Sequence, residues 1–151
     1  MEEFRKMRRF KQQLSDKDAE TVLRRCTNGI LAVYGDNDYP YAVPISYIYS
    51  EGKIYMHSAL AGHKLDGIRR NPKVSFCVVD KDQIVPEEFT TYFRSVIAFG
   101  KARIITDLEE MRIPHNLAGY RPLSCRVEPC RAVRSLRHRC YNGWRLRGWG
   151  R

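Results

Sequence analysis

A chain of 151 residues with 43% hydrophobic and 29% charged residues has the length of one domain and the composition of a globular protein, which excludes wholesale disorder, a collagen-like fibre and a disulfide mini-scaffold. The longest stretch without a formal charge, Tyr39–Ser50, is twelve residues with two prolines, too short and too interrupted to cross a membrane as a helix. The net charge of +10 is unevenly divided: residues 1–110 hold 17 Lys and Arg against 16 Asp and Glu, whereas residues 111–151 hold ten Arg, no Lys and a single acid, Glu128.

Met1–Phe10 is charged rather than apolar, which reads against a secretory leader and predicts a cytoplasmic protein. Ser15 is placed to cap a helix, with Asp18 three residues on, and Ala19, Val22, Leu23 and Cys26 recur on one face, so a helix is expected over about Asp16–Arg25. Asn28-Gly29 ends it. Ile30–Tyr34 reads as a short strand closed by Gly35-Asp36-Asn37-Asp38, and a second strand runs Tyr41–Tyr49. The turn Ser50-Glu51-Gly52 returns the chain into Lys53–His57, giving an antiparallel meander. A small-residue loop, Ser58–Gly62, leads into a short helix from Gly62 or His63, which Asn71-Pro72 stops. Val74–Val79 is β-branched and apolar, a strand covered on both faces. After a polar loop with Pro86, Glu87 and Glu88, Thr90–Ile105 reads as one long strand with Gly100 as a bulge or bend. The expected class is mainly β with two short helices, an antiparallel sheet of about five strands with barrel-like closure.

Chemistry-bearing motifs are sparse. The phosphate loop with Gly-Lys-Ser or Gly-Lys-Thr, the dinucleotide fingerprint G-x-G-x-x-G and the nucleophile elbow G-x-S-x-G do not occur. Five cysteines without a leader indicate no disulfide framework. Cys125, Cys130, His138 and Cys140 lack the tight paired spacing of a zinc site, and no metal is expected. The segment Tyr55–Lys64 does carry a coherent set: a strand end delivers an imidazole and a hydroxyl, and a helix begins with Lys64 in its first turn. Exposed N–H groups at a helix start beside a cation form a phosphate site from generic parts. A loop with a solvated lysine and a surface histidine is the plain alternative.

Four ordered runs, Tyr39–Tyr47, Lys53–Lys64, Ile68–Val74 and Val85–Ile97, resemble the pyridoxamine 5′-phosphate oxidase-related FMN-binding proteins, and within them the 5-nitroimidazole resistance group. The resemblance spans about residues 5–110. It implies an FMN-binding split β-barrel, a homodimer holding FMN in clefts shared by two protomers, and an oxidoreductase of nitroreductase-like or oxidase-like type. His57, Ser58, His63 and Lys64 fall where the family binds the FMN phosphate and ribityl chain. The parent enzymes show Arg-Lys where this chain has His63-Lys64. Pro44, Ser46 and Tyr47 lie on the strand beside the flavin ring, and Tyr92, Arg94 and Ser95 match a motif lining the cleft. Cross-strand packing is the alternative role for Tyr92 and Arg94. The resemblance fixes neither catalytic residues, substrate nor electron donor.

The carboxyl-terminal part departs from this pattern. Where the group continues into a helix and a closing strand, Ile113–Pro122 is followed by Arg, Cys and Trp without strand alternation. Two units are therefore expected: residues 1–110 as a split barrel lacking its closing helix and strand, and residues 111–151 as an atypical basic tail, disordered or the product of a reading-frame shift. A native extension that binds nucleic acid through stacked aromatic residues and arginines is the rival account, and a flavin-binding protein without turnover is a third.

Overall fold

A computed structural model describes residues 4, 7–59, 61–106 and 125–141, with side chains in the last segment only as far as residue 128. Helix α1 is Asp16–Arg25 and helix α2 is His63–Arg70; the strands are β1 Asn28–Tyr34, β2 Pro40–Ser50, β3 Lys53–Met56, β4 Lys73–Val85, β5 Thr90–Ile104 and β6 Cys125–Tyr141. They form a closed antiparallel barrel in the order β1-β2-β3-β6-β5-β4. Among the described residues no helix is long and apolar enough to cross a membrane.

The local signals act as expected in α1. Ser15 is extended and its hydroxyl accepts from the Asp18 amide at 3.1 Å, so one of the unpaired N–H groups at the helix start is satisfied. The helix then buries Ala19, Val22 and Leu23 against the barrel. Inside, Leu31, Val33, Ile54, Met56, Phe76, Val78, Val96, Ala98 and Val127 form one continuous core.

Two expectations are corrected. β4 does not stop at Val79 but continues to Val85, pairing Lys81–Val85 with Thr90–Arg94. That extension stands clear of the core, with Lys81, Asp82, Gln83 and Ile84 all exposed, so no buried alternation betrays it. More consequentially, the barrel does not lack its closing strand. Cys125–Tyr141 pairs with β3 through Met56↔Cys125 and Ile54↔Val127, and with β5 from Ile104↔Cys125 to Thr90↔Tyr141. Two sheet edges that would otherwise expose unpaired N–H and C=O groups are thereby joined. Among the β6 residues with described side chains, Cys125 and Val127 are buried while Arg126 and Glu128 are not; in the sequence, Pro129 and the arginines break the alternation that follows. Pro129 lies opposite Gly100 beside a register shift between Ala98 and Gly100, where a missing donor is tolerated. Gly100 is a bulge position, as expected, and it is glycine because a Cβ there would strike the Glu128 carbonyl oxygen and approach Val127 Cγ1 to 2.9 Å.

Candidate functional site

The end of β3 and the start of α2 bracket the loop 57–62. Ser58 is buried and His57 exposed. Gly62, the N-cap of α2, has φ 131°, a conformation costly for a side chain, and its carbonyl accepts from the Leu65 and Asp66 amides. Lys64 is half-buried in the first turn. Burial pushes the Cys125 thiol up to about 11, while the Lys64 ammonium acts against that burial. Cys125, at the start of β6, pairs with Met56, the residue before His57. His57 and Ser58 after β3 and Lys64 at the start of α2 thus flank one loop.

His63 is turned elsewhere. Its ring stacks on Tyr41 with centroids 4.2 Å apart, and its Nε2 accepts from the Asp36 amide at 3.3 Å. Asp36 in turn accepts from Arg70 at 2.9 Å. His63 ties α2 to the loop between β1 and β2, and Lys64 is the side chain it leaves as cation at the helix start.

Strand alternation divides the β2 residues. Pro44 and Ser46 share the exposed outer face, whereas Tyr47 points inward. Its hydroxyl donates to the Leu23 carbonyl at 2.8 Å and its ring meets Phe76 edge-on at 5.0 Å. Burial pushes the phenol well above its ordinary range. Tyr47 is a core residue that anchors α1.

Tyr92, Arg94 and Ser95 lie near the start of β5. Tyr92 donates to Glu88 at 2.5 Å, and Ser95 is buried. Arg94 donates through Nε to Asp80, whose other oxygen accepts from Arg25 of α1 and from the Cys26 thiol at 3.6 Å. Asp80 was not singled out in the sequence, where it looks like the first residue of a polar loop. In the ladder Val79 pairs with Ser95 and Lys81 with Arg94, so Asp80 is the extra residue of a bulge, and the bulge aims its carboxylate inward. The side chain is only 4% exposed. Burial acts to raise its pKa, but the bonds from Arg25 and Arg94 outweigh it and hold the carboxyl below its ordinary value. Ten residues separate Arg94 from Ile104, the partner of Cys125, roughly 30 Å of strand at about 3.3 Å per residue.

Among the described residues no group of His, Cys, Asp and Glu could hold a metal ion; the side chains of Cys130, His138 and Cys140 lie outside the described set.

Comparison with known proteins places these features in context. The pattern that defines the pyridoxamine 5′-phosphate oxidase family matches residues 15–122. A putative 5-nitroimidazole antibiotic resistance protein of Bacteroides thetaiotaomicron superposes with a TM-score of 0.67 at 18% identity, over 82% of this chain and 84% of that one. An FAD-binding protein of Mycobacterium smegmatis gives 0.67 at 20% identity, over 85% and 99%. A putative pyridoxamine 5′-phosphate oxidase of Corynebacterium glutamicum gives 0.63 at 21%, over 85% and 98%. In sequence, an uncharacterised protein of Rhizobium meliloti is 37% identical over 65 residues, which are 43% of this chain and 38% of that relative's length.

Proposed function

The chain belongs to the pyridoxamine 5′-phosphate oxidase family, and on that premise we propose that it is a cytoplasmic FMN-binding oxidoreductase working as a homodimer. The observation that carries this reading is the placement of His57 and Ser58 after β3 and of Lys64 in the first turn of α2, on either side of one short loop. A helix start with an adjacent ammonium suits the doubly charged phosphate of FMN. Pro44 and Ser46 on the exposed face of β2 offer a wall along which a planar ring can lie. The residues present therefore fit the cofactor.

In this reading Lys64 neutralises the phosphate, His57 and Ser58 offer polar contacts to the phosphate and ribityl chain, and the outer face of β2 orients the ring. Bound flavin supplies the electron-transfer chemistry, and the protein supplies position and field. Arg94 lies ten residues along β5 from Ile104, the partner of Cys125, which favours a cleft completed by a second protomer, in which one protomer's Arg94 would face the other's flavin. The substrate is a small molecule that reaches that cleft.

The purified chain should be titrated with FMN and with FAD while the visible spectrum is recorded, and sized with and without cofactor. Saturable FMN uptake at micromolar concentration by a dimer supports the proposal. No uptake of either flavin by a folded chain overturns it, and tighter uptake of FAD overturns the choice of FMN. Bound flavin that accepts no electrons from reduced nicotinamides and passes none to nitroaromatics would instead mark a flavin carrier.

A further inference from the structure

His63 opens α2, and its ring stacks on Tyr41 of β2 with centroids 4.2 Å apart, while its Nε2 lies beside two groups of Asp36 in the loop from β1 to β2. The Asp36 amide donates to Nε2 at 3.3 Å, and Asp36 Oδ2 lies 3.5 Å from the same nitrogen. Those two neighbours demand opposite protonation states. To accept from an amide the imidazole must be neutral, with its proton on Nδ1; to engage a carboxylate, Nε2 must carry a proton itself. Arg70, about two turns along α2, holds the other carboxylate oxygen at 2.9 Å, so the carboxylate stays in place whichever form the ring takes.

We propose that His63 is a proton-operated latch that sets how the β1–β2 loop is held on α2. Neutral, the ring grips the loop by its backbone, through the Asp36 amide. Protonated, it releases the amide and passes to the Asp36 carboxylate, so that, together with Arg70, it holds the loop by a side chain alone. Histidine makes that change between about pH 8 and 5, a range in which carboxylates, ammonium and guanidinium groups keep their charge. The other charges near the ring are therefore a fixed background: Asp38 in the loop, Lys64 beside His63, and Asp66, which accepts from Arg69 at 2.9 Å; β1 and β2 carry no charged residue. Both contacts are open to solvent and modest, so the proton moves the loop without unfolding the protein. The loop has cause to move, because Asn37 and Asp38 hold φ of 53° and 62°, a conformation kept only where the surroundings impose it. The latch joins α2, which carries Lys64, to the loop entering β2, which carries Pro44 and Ser46, so the spacing of the elements proposed to hold the cofactor answers to the same proton. It is read without flavin and does not rest on the flavin reading.

The full chain, isotopically labelled and free of flavin, tests the latch by NMR. On acidification through that range the Asp36 amide should shift with the same midpoint as the His63 ring protons. Its exchange with water, corrected for the intrinsic rate, should quicken about three- to tenfold as the bond is lost. His63→Gln offers an oxygen acceptor at every pH, so the Asp36 amide should keep its protection throughout. His63→Phe keeps a ring on Tyr41 and accepts nothing, so the amide should be unprotected in alkaline solution as well. His57 is the other histidine among the described residues, and the two variants separate its influence from that of His63. An Asp36 amide indifferent to pH, a midpoint that differs from that of the His63 ring, a full response surviving in His63→Gln, or parental protection in His63→Phe would each overturn the proposal.

Discussion

Arg94 on β5 donates through Nε to Asp80, the bulged residue of β4, and the same carboxylate binds Arg25 of α1. One side chain thus links two strands and a helix. Asp80→Ala should lower stability by about 2 kcal/mol, since it strands the half-buried Arg94 and unties α1. A urea unfolding curve measures the loss, and a shift under 0.5 kcal/mol would show the link to be idle.

The same carboxylate gives a pH dependence of known sign. Its folded pKa is depressed, so its contribution is fully present above the unfolded value of about 3.9 and is lost as pH falls through the folded value. Melting temperatures of the parent and Asp80→Asn should differ by a constant amount above pH ~5 and converge in more acid solution. A difference that does not shrink at all as the solution is acidified below pH ~4 contradicts the assignment.

Lys64→Ala should weaken FMN about tenfold or more, because a charge-assisted contact to phosphate contributes about 1.5–3 kcal/mol. Lys53→Ala, altered at the start of β3 beyond the turn Ser50-Glu51-Gly52, should leave affinity within about twofold. Equal losses in the two variants would reject the phosphate placement.

Much of this architecture is legible in the sequence, and the exceptions share a cause. Ser15 and Asp18 announce α1, Asn71-Pro72 ends α2, and Gly100 marks the bulge in β5, each through a signal confined to a few neighbouring residues. β6 carries no such signal. Its place is set by the open edges of β3 and β5, and in the sequence Pro129 and the arginines break its alternation. The site divides in the same way. Lys64, His57 and Ser58 flank one loop and could be grouped by position, whereas the inward turn of Tyr47 and the capture of His63 by Tyr41 and Asp36 depend on strands paired in space. Asp80 is the clearest case, because its meaning depends on Arg25, which is 55 residues away in sequence.

Tyr47→Phe keeps the ring against Phe76 and removes only the hydroxyl that Leu23 uses. Stability should fall by about 1 kcal/mol, measured by urea unfolding. Loss of FMN affinity beyond about threefold, with stability unchanged, would place the phenol at the cofactor instead of in the core.

Gly100→Ala should destabilise by about 1–3 kcal/mol by forcing a methyl group against the β6 backbone, with amide exchange quickening first in β6. A chain ended at residue 124 should lose its cooperative melt and associate through the freed edges of β3 and β5. A sharp monomeric transition in that shortened chain would mean that β6 is dispensable.

Closure by β6 also orders events during translation. Ile54 emerges from the ribosome long before Val127, its partner, and at about 5–20 residues per second the wait lasts several seconds. Over that interval β3, and β5 once it has been made, present open edges to neighbouring nascent chains. A pause or premature release before residue 141 therefore leaves a sheet primed to recruit strands from elsewhere, and the yield of native protein depends on how quickly the last strand is delivered.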